Sequence, residues 1–347
     1  MPPDAHPLTL ADIARLAGVG LATASRALNG APGVAPATRA KVLAVAEENA
    51  FVVSPDASRL AGGAQRRVAI VVPHISRWFF GTIVEAMLTV FQNADLDVLL
   101  YHVGSEAERH DFFEKLPARR KVDAVVVVAF PVDEQERQRI ELLGVQIVAA
   151  GGQHAVYPHV CIDDVNAGRT AVNHLIGLGH RRIAMIEAVD PEQPVQPRGR
   201  SMAFYDTMAE ADIPVEQDLV VSTPWGPEQG AEAMATLLSL PNPPTAVYAH
   251  SDEVAFGALR TIRRSGLFVP EDISIVSIDD HPMAALTDLT TVHQPVREQG
   301  IAAARNVLTL LNGDRPDQAT TLPTQLIVRH STAPPRAATA KTGPARR

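Results

Sequence analysis

The stretch that decides how this chain is organised runs from Thr9 to Asn29, TLADIARLAGVGLATASRALN. Leu10, Ile13, Ala14 and Ala17 stand at i, i+3, i+4 and i+7, on one face of a helix. Thr9 is placed to cap that helix, with Asp12 three residues on as a shortened capping box. Gly18 stops it. After Val19 and Gly20 a second helical pattern turns Ala24, Ala27 and Leu28 to one side and Leu21, Ala22, Ser25, Arg26 and Asn29 to the other. Two helices joined by a short glycine-containing turn make a helix-turn-helix. Working outward, Pro36 opens a third helix, whose Val42, Val45 and Ala46 supply the apolar face that two helices cannot bury alone. The pattern predicts an all-α headpiece over residues 8–52. In such motifs the second helix enters the major groove, which makes Leu21, Ala22, Ser25 and Arg26 the reading face. Among these only Arg26 can grip a guanine in bidentate fashion. A small helical domain with a solvated Arg26 carries the same local pattern.

Next comes Ser54-Pro55-Asp56, followed by Ala57 to Ala61 and a Gly62-Gly63 stop, a full set of helix signals around one or two turns. A helix that short is marginal in water, so the linker over residues 53–65 is expected to fold only when something packs on it. From Val68 onward, apolar strands (Val68 to Val72, Val98 to Tyr101, Val122 to Val128, Gln146 to Ala150, Ile183 to Ile186, Val220 to Ser222, Ala246 to Ala249, Ile273 to Ile278) alternate with amphipathic helices such as Phe80 to Ala94, Asp133 to Leu143, Asn166 to Leu178 and Glu253 to Ser265. This alternation predicts an α/β module of parallel, doubly wound sheets. Residues 66–332 are too many for one such core, so two lobes are expected. The end of the chain, residues 333–347, is rich in Ala, Pro, Thr and Arg and reads as a disordered tail.

Composition narrows the function. With 347 residues, 46% hydrophobic and 20% charged, the chain can bury a large core. Its apolar runs fall far short of the roughly 18 residues of a membrane span, and no charged-then-apolar signal segment opens it, so the cytoplasm is the expected location. A lone cysteine, Cys161, excludes an internal disulfide framework and a Cys-rich zinc site. The net charge of −8 argues against coating nucleic acid, but it is unevenly spread. Residues 1–67 carry seven basic and five acidic side chains, whereas residues 68–332 carry 20 basic and 34 acidic. An acidic module repels phosphate and leaves DNA to the headpiece. Enzyme signatures are missing: no Gly-x-Gly-x-x-Gly after a strand, no phosphate loop, no nucleophile elbow. Asp279-Asp280-His281 is a poor metal set because adjacent side chains splay apart. No cofactor is expected.

Taken whole, the run from Thr9 to Asn29, continued by Val34 to Arg39 and by Ala57-Ser-Arg-Leu60, resembles the DNA-binding headpiece of the lac repressor and galactose repressor family of bacterial transcription regulators. Further marks extend the resemblance over residues 8–332: Ile75 to Phe80, Val160 to Asp164, Leu178 to Ile183, Arg200 with Ala203-Phe204, Ser251-Asp252, Val269 to Ser274 and Ile278 to Asp280. It implies that Leu21 and Ala22 choose operator bases, that Arg26 contacts a base, and that Thr9, Thr23, Ser25, Asn29 and Thr38 serve backbone contacts and packing, which position without reading sequence. It also implies that Leu60, in a linker helix with Ala57, wedges into the minor groove, the cost of unstacking being offset by contacts on bent DNA. Gly20 departs from the family's usual serine cap, at a few tenths of a kcal/mol and the loss of a hydroxyl. Val53-Ser54 replaces the usual Pro-Asn.

For the larger module the resemblance implies the fold of periplasmic sugar-binding proteins, with one lobe from residues 66–165 and 295–324 and another from 166–294 and 325–332. Effectors of the family sit in the cleft between them. Arg200 matches a ligand-donating arginine, Asp252 and Asp279 match polar positions at or beside the cleft, Asp163 is a further candidate that reads equally as structural, and Trp225 matches a stacking aromatic, with Trp78 or Phe79 as the opposite wall. Carboxylates and a guanidinium suit the mixed donors and acceptors of a sugar. Phe79 reads equally as core. Where the family usually has Asn-Pro-Phe-Phe, this chain has Arg77-Trp78-Phe79-Phe80, a change of size and charge at the cleft mouth. The expectation is an operator-specific regulator, a repressor relieved by a small sugar, working on palindromic DNA as a homodimer or larger. A purine- or corepressor-responsive regulator and a sugar-binding protein without a DNA role stand as alternatives.

Overall fold

A computed structural model of the chain describes residues 8–49, 51, 66–115, 121–130, 132, 134–142, 144–152, 157–189 and 199–336. The chain divides into two compact units, Met1–Gln65 and Arg66–Arg347.

The first unit holds helices α1 (Leu10–Ala17), α2 (Leu21–Leu28) and α3 (Pro36–Glu48). The capping box at Thr9 forms: its Oγ1 accepts the Asp12 N–H at 3.3 Å, and Asp12 Oδ2 accepts the Thr9 N–H at 3.0 Å. The Thr9 hydroxyl also donates to Asp12 at 2.7 Å, and these bonds with Arg15 hold the Asp12 carboxyl down at about 2. Gly18 ends α1 at φ 65°, the left-handed conformation in which glycine is least penalised. Ile13, Ala14, Ala17, Ala24, Ala27, Val42 and Ala46 close a core, and its alanines let three short helices approach closely. The linker residues Ala57 and Leu60 lie outside the described residues.

In the second unit, β1 (Arg67–Val72), β2 (Asp97–His102), β3 (Ala124–Val128), β4 (Gln146–Ala150), β5 (His159–Ile162) and β11 (Ala319–Leu322) form a parallel sheet in the order β2-β1-β3-β4-β5-β11. A second sheet repeats the pattern with β6 (Ile183–Val189), β7 (Val220–Pro224), β8 (Ala246–Ala249), β9 (Ser274–Asp279), β10 (Thr290–His293) and β12 (Gln325–Ile327), ordered β7-β6-β8-β9-β10-β12, only β12 being antiparallel to its neighbour. Both faces of each sheet are covered, which explains the unbroken apolar runs. Along β1, Val68, Ile70 and Val72 enter one core and Ala69 and Val71 another.

The covering helices are α4 (Trp78–Asn93), α5 (Glu106–Lys115), α6 (Glu134–Leu142), α7 (Asp164–Gly177), α8 (Gly199–Glu210), α9 (Pro227–Leu238), α10 (Asp252–Arg264), α11 (Pro282–Leu286) and α12 (Val296–Leu311). Helix α12 returns to the first sheet: its Ala303, Ala304 and Val307 share a core with Ile83 and Met87 of α4. Helix α7 packs with the second. Among the described strands, the chain therefore passes between sheets after β5, after β10 and after β11.

Composition predicts disorder from residue 333, but the chain is anchored through Arg336. Ser274 Oγ donates to the Ala333 carbonyl and accepts its N–H, both at 3.0 Å, His180 Nε2 lies 2.9 Å from the same carbonyl, and Arg336 pairs with Asp272 at 2.6 Å. These partners are remote in sequence, so an Ala- and Pro-rich composition does not reveal them. Residues 337–347 lie outside the described residues. Among the described residues no helix is long and apolar enough to cross a membrane.

Candidate nucleic-acid interface and effector cleft

On the first unit, α2 presents Leu21, 55% exposed, with Ala22, Arg26 and Asn29 also exposed. Thr9 is exposed, while Thr23, Ser25 and Thr38 are half-buried. Arg26 Nε donates to the Ala22 carbonyl at 3.2 Å, so the side chain runs back along its own helix. A role not assigned to Arg39 by its sequence position emerges here. From α3, its guanidinium donates to the carbonyls of Ala27 at 3.0 Å and Ala31 at 2.5 Å. The last carbonyls of a helix lack intrahelical partners and carry partial negative charge. Arg39 therefore holds the C-terminal end of the exposed helix.

In the second unit, the candidate side chains gather at the carboxyl ends of strands, where wound sheets form their crevices. Arg200, in the first turn of α8, has a side chain only 14% exposed. Its Nε donates to Asp164 Oδ1 at 2.7 Å and its Nη1 to the His250 carbonyl at 2.5 Å, with Asp279 Oδ1 3.6 Å from Nη1. Burial opposes its charge, but Asp164 and Asp279 outweigh that and hold its pKa above the usual value. Gly168 of α7 makes this arrangement possible. A Cβ there would stand 2.8 Å from Ala203 Cβ and 3.2 Å from the Arg200 carbonyl.

Asp279 ends β9 at φ 141° and Asp280 follows at φ 58°, both in the region that disfavours L side chains. Asp279 Oδ1 accepts from Gln294 Nε2 at 2.5 Å. Burial pushes its pKa up, with Arg200 opposing. Asp252, expected to line the cleft, is instead fully buried: it accepts from Ser277 Oγ at 2.5 Å, Thr291 Oγ1 at 2.6 Å and the His281 N–H at 2.7 Å. Its oxygens brace β9, β10 and the turn beyond β9, and the expectation of ligand contact is corrected accordingly. Burial, then the like charge of Asp279, raises its pKa. Asp163 is exposed and caps α7, accepting the Asn166 N–H at 2.9 Å.

The first lobe contributes the start of α4. Trp78 stacks at a tilt on His281 of the second lobe, ring centres 4.9 Å apart. Phe79 lies edge-on to Phe80 at 5.2 Å and covers Gly151, where a Cβ would collide with its ring. Trp225, half-buried against the second lobe's core, carries the Arg77 guanidinium 4.7 Å from its ring centre. Arg77 Nε also donates to Glu253 Oε2 at 3.1 Å. Thus Trp78 and Trp225 stand where the two lobes meet, Arg200 and Asp279 lie together at the strand ends of the second lobe, Phe79, like Trp78, packs against the first lobe's core, and Asp252 lies behind the surface. The sequence marks neither Asp164 nor Glu253 as a site residue and offers His281 only as a poor metal ligand, since their partners are remote in the chain. A third polar group joins Glu187, at the end of β6, to the Ser201 and Ser222 hydroxyls at 2.5 and 2.6 Å. Among the described residues no cluster of three or more His, Cys, Asp or Glu could hold a metal ion. Fixed acceptors, guanidinium groups and indole rings form a set suited to holding a hydroxylated ring.

Comparison with known proteins agrees with both halves of this picture. The family described as bacterial regulatory proteins, lacI family, matches residues 9–54, and the periplasmic binding protein-like domain matches residues 172–332. The HTH-type transcriptional regulator DegA of Bacillus subtilis is 30% identical over 334 residues, covering 94% of this chain and 98% of DegA. Among solved structures, the lac repressor dimer bound to operator and the anti-inducer ONPF matches with a TM-score of 0.83 at 27% identity, over 94% of this chain and 100% of that one. The transcriptional regulator CelR in complex with cellobiose matches with a TM-score of 0.68 at 30% identity, over 93% and 99% of the two chains.

Proposed function

The chain belongs to the lacI family of bacterial regulatory proteins, and from that premise we propose that it is a repressor whose operator affinity is switched by a small sugar held in the cleft. It is a DNA-binding transcriptional regulator, and its action is binding, not turnover, carried out in the cytoplasm on nucleoid DNA. Residues 8–52 are the headpiece, 53–65 the linker and 66–332 the effector module. Leu21, Ala22 and Arg26 read bases, Thr9, Thr23, Ser25, Asn29 and Thr38 meet the backbone or pack beside it, and Leu60, with Ala57 in the linker, wedges the minor groove. Two copies related by a two-fold axis read a palindromic operator, a reading supported by the similarity to a lac repressor dimer bound to operator. Asp163, Arg200 and Asp279 supply the sugar's polar contacts, and Trp78, Phe79 and Trp225 its walls.

The observation that carries this reading is the exposure of Leu21, Ala22 and Arg26 on a helix-turn-helix in a chain whose second unit gathers Arg200, Asp279 and two tryptophans at the strand ends of paired sheets. CelR bound to cellobiose supports the choice of a sugar. An effector shifts operator affinity only by binding one arrangement of the lobes better than the other. The test is a thermal-shift panel of sugars and nucleosides, because a ligand of the native state raises its melting temperature, followed by operator release with the hit. Stabilisation by a nucleoside alone refutes the sugar. Stabilisation by a sugar without any change in operator affinity refutes the switch. For the headpiece, Arg26→Ala should cost about 1 to 3 kcal/mol of operator discrimination, and an unchanged preference over random DNA refutes the reading face.

A further inference from the structure

The chain has two tryptophans, and both stand at the cleft mouth, Trp78 on the first lobe and Trp225 on the second. The Arg77 guanidinium lies 4.7 Å from the Trp225 ring centre, inside the roughly 6 Å of a cation–π contact. Glu253 holds it there. One carboxylate oxygen accepts Arg77 Nε at 3.1 Å and the other accepts the Trp78 N–H at 3.3 Å. Glu253 thereby supplies, from the opposite lobe, the negative charge that the N-terminus of α4 favours and that Arg77, its cap residue, does not provide. The side chains of Arg77 and Glu253 are each 21% exposed, so salt screens this pair less than a surface pair. A ring approaching Trp225 from the first lobe meets Arg77 before it meets the indole.

We propose that Arg77 is a specificity-determining residue of the cleft, a tethered competitor that occupies the Trp225 face and that a stacking ligand must displace. The inference rests on the cleft being the effector site. Displacement separates Arg77 from Glu253, and a ligand rich in hydroxyls can satisfy both, accepting from the guanidinium and donating to the carboxylate. A ring without such groups leaves two half-buried charges unpaired and is rejected. Glu253 is a positioning residue that acts through Arg77.

The experiment uses the full chain carrying Trp78→Phe, in which Trp225 is the sole tryptophan, with acrylamide as the probe, a small neutral planar amide that must reach the indole. Arg77→Asn should raise the quenching constant about threefold, the equivalent of a cation–π contact at a partly exposed site. Glu253→Gln should raise it less, and should add nothing to Arg77→Asn. Equal quenching in Arg77→Asn and its parent, or additive effects of the two substitutions, overturns the proposal. If Arg77→Asn fails to fold, Glu253→Gln decides alone: a rise supports the proposal and no change overturns it. The sugar and nucleoside panel, run on the full chain with both tryptophans and on the same chain with Arg77→Asn alone, should gain members that the former rejects, and an identical set of hits overturns the selectivity. A panel blank for both proteins refutes the effector reading, and the quenching result still judges Arg77 by itself.

Discussion

Replacing Arg39 with alanine tests whether the recognition helix is positioned from α3. The guanidinium donates to Ala27 O at 3.0 Å and Ala31 O at 2.5 Å, and approaches Arg26 O at 3.5 Å. The two shorter bonds are partly buried and charge-assisted, each worth about 1.5 kcal/mol at the low end for such bonds. Water re-solvates part of the freed carbonyls, so the expected loss is about 2 to 3 kcal/mol. For a headpiece over residues 8–52, the total stability is only about 2 to 7 kcal/mol at ordinary values per residue. The loss is therefore a large share of it. Hydrogen exchange on the full chain is the assay. Amides of residues 24–31 should exchange about 30- to 150-fold faster, the factor that corresponds to this energy, while those of β3 in the second unit stay as they were. Operator affinity should fall in parallel. Arg39→Lys keeps the charge but cannot span two carbonyls as a planar fork does, so it should recover less than half of the protection. Unchanged exchange over residues 24–31 with a large drop in operator affinity would mean that Arg39 meets phosphate directly, and the positioning argument would be wrong.

Arg200→Ala leaves Asp164 and Asp279 without their shared partner and should cost about 3 to 5 kcal/mol by the usual penalty for breaking a buried ion pair. Operator binding should persist while sugar response is lost, so a variant that is normally induced with an unchanged melting temperature would remove Arg200 from the cleft. Gly168→Val places atoms where Ala203 Cβ and the Arg200 carbonyl already stand, and overpacking of this kind costs about 1 to 3 kcal/mol. A melting temperature equal to the parent's would show that α7 and α8 separate freely. Asp12 has a depressed folded pKa of about 2, so its stabilising contribution is present above the unfolded value of about 4 and disappears as pH falls toward 2. Headpiece melting should decline across that window, and Asp12→Asn should flatten the decline; an identical slope in the variant contradicts the capping assignment.

The elements readable in the chain are those set by near neighbours. The caps at Thr9 and Gly18 and the spacing of Ile13, Ala14 and Ala17 define α1 from within a few residues. Strands β1, β3 and β4 announce themselves as apolar runs because both of their faces are covered. Strand β10 has no such run. Its Thr290 and Thr291 are fully buried, but their hydroxyls find Thr332 and Asp252 far along the chain. Strand β11, ATTL, alternates between exposed and half-buried positions at the edge of its sheet. In the site, Arg200 pairs with Asp164 and Trp225 carries the Arg77 guanidinium, partners that no neighbouring residue reveals. Asp252 resembles them on paper, but its carboxylate faces inward because Ser277 and Thr291 surround it.

By itself, then, the sequence determined a three-helix headpiece, an acidic module of wound sheets and membership of a regulator family, since helix caps, periodicity and motif spacing act over a few residues. Tertiary structure alone decided which polar and charged groups meet. Arg77 and Glu253 are 176 positions apart, Asp252 and Thr291 are 39 apart, and Arg200 and Asp164 are 36 apart. Their pairing depends on where strand ends converge, and that follows from the order of strands in two sheets threaded by crossovers, a property that no local pattern carries.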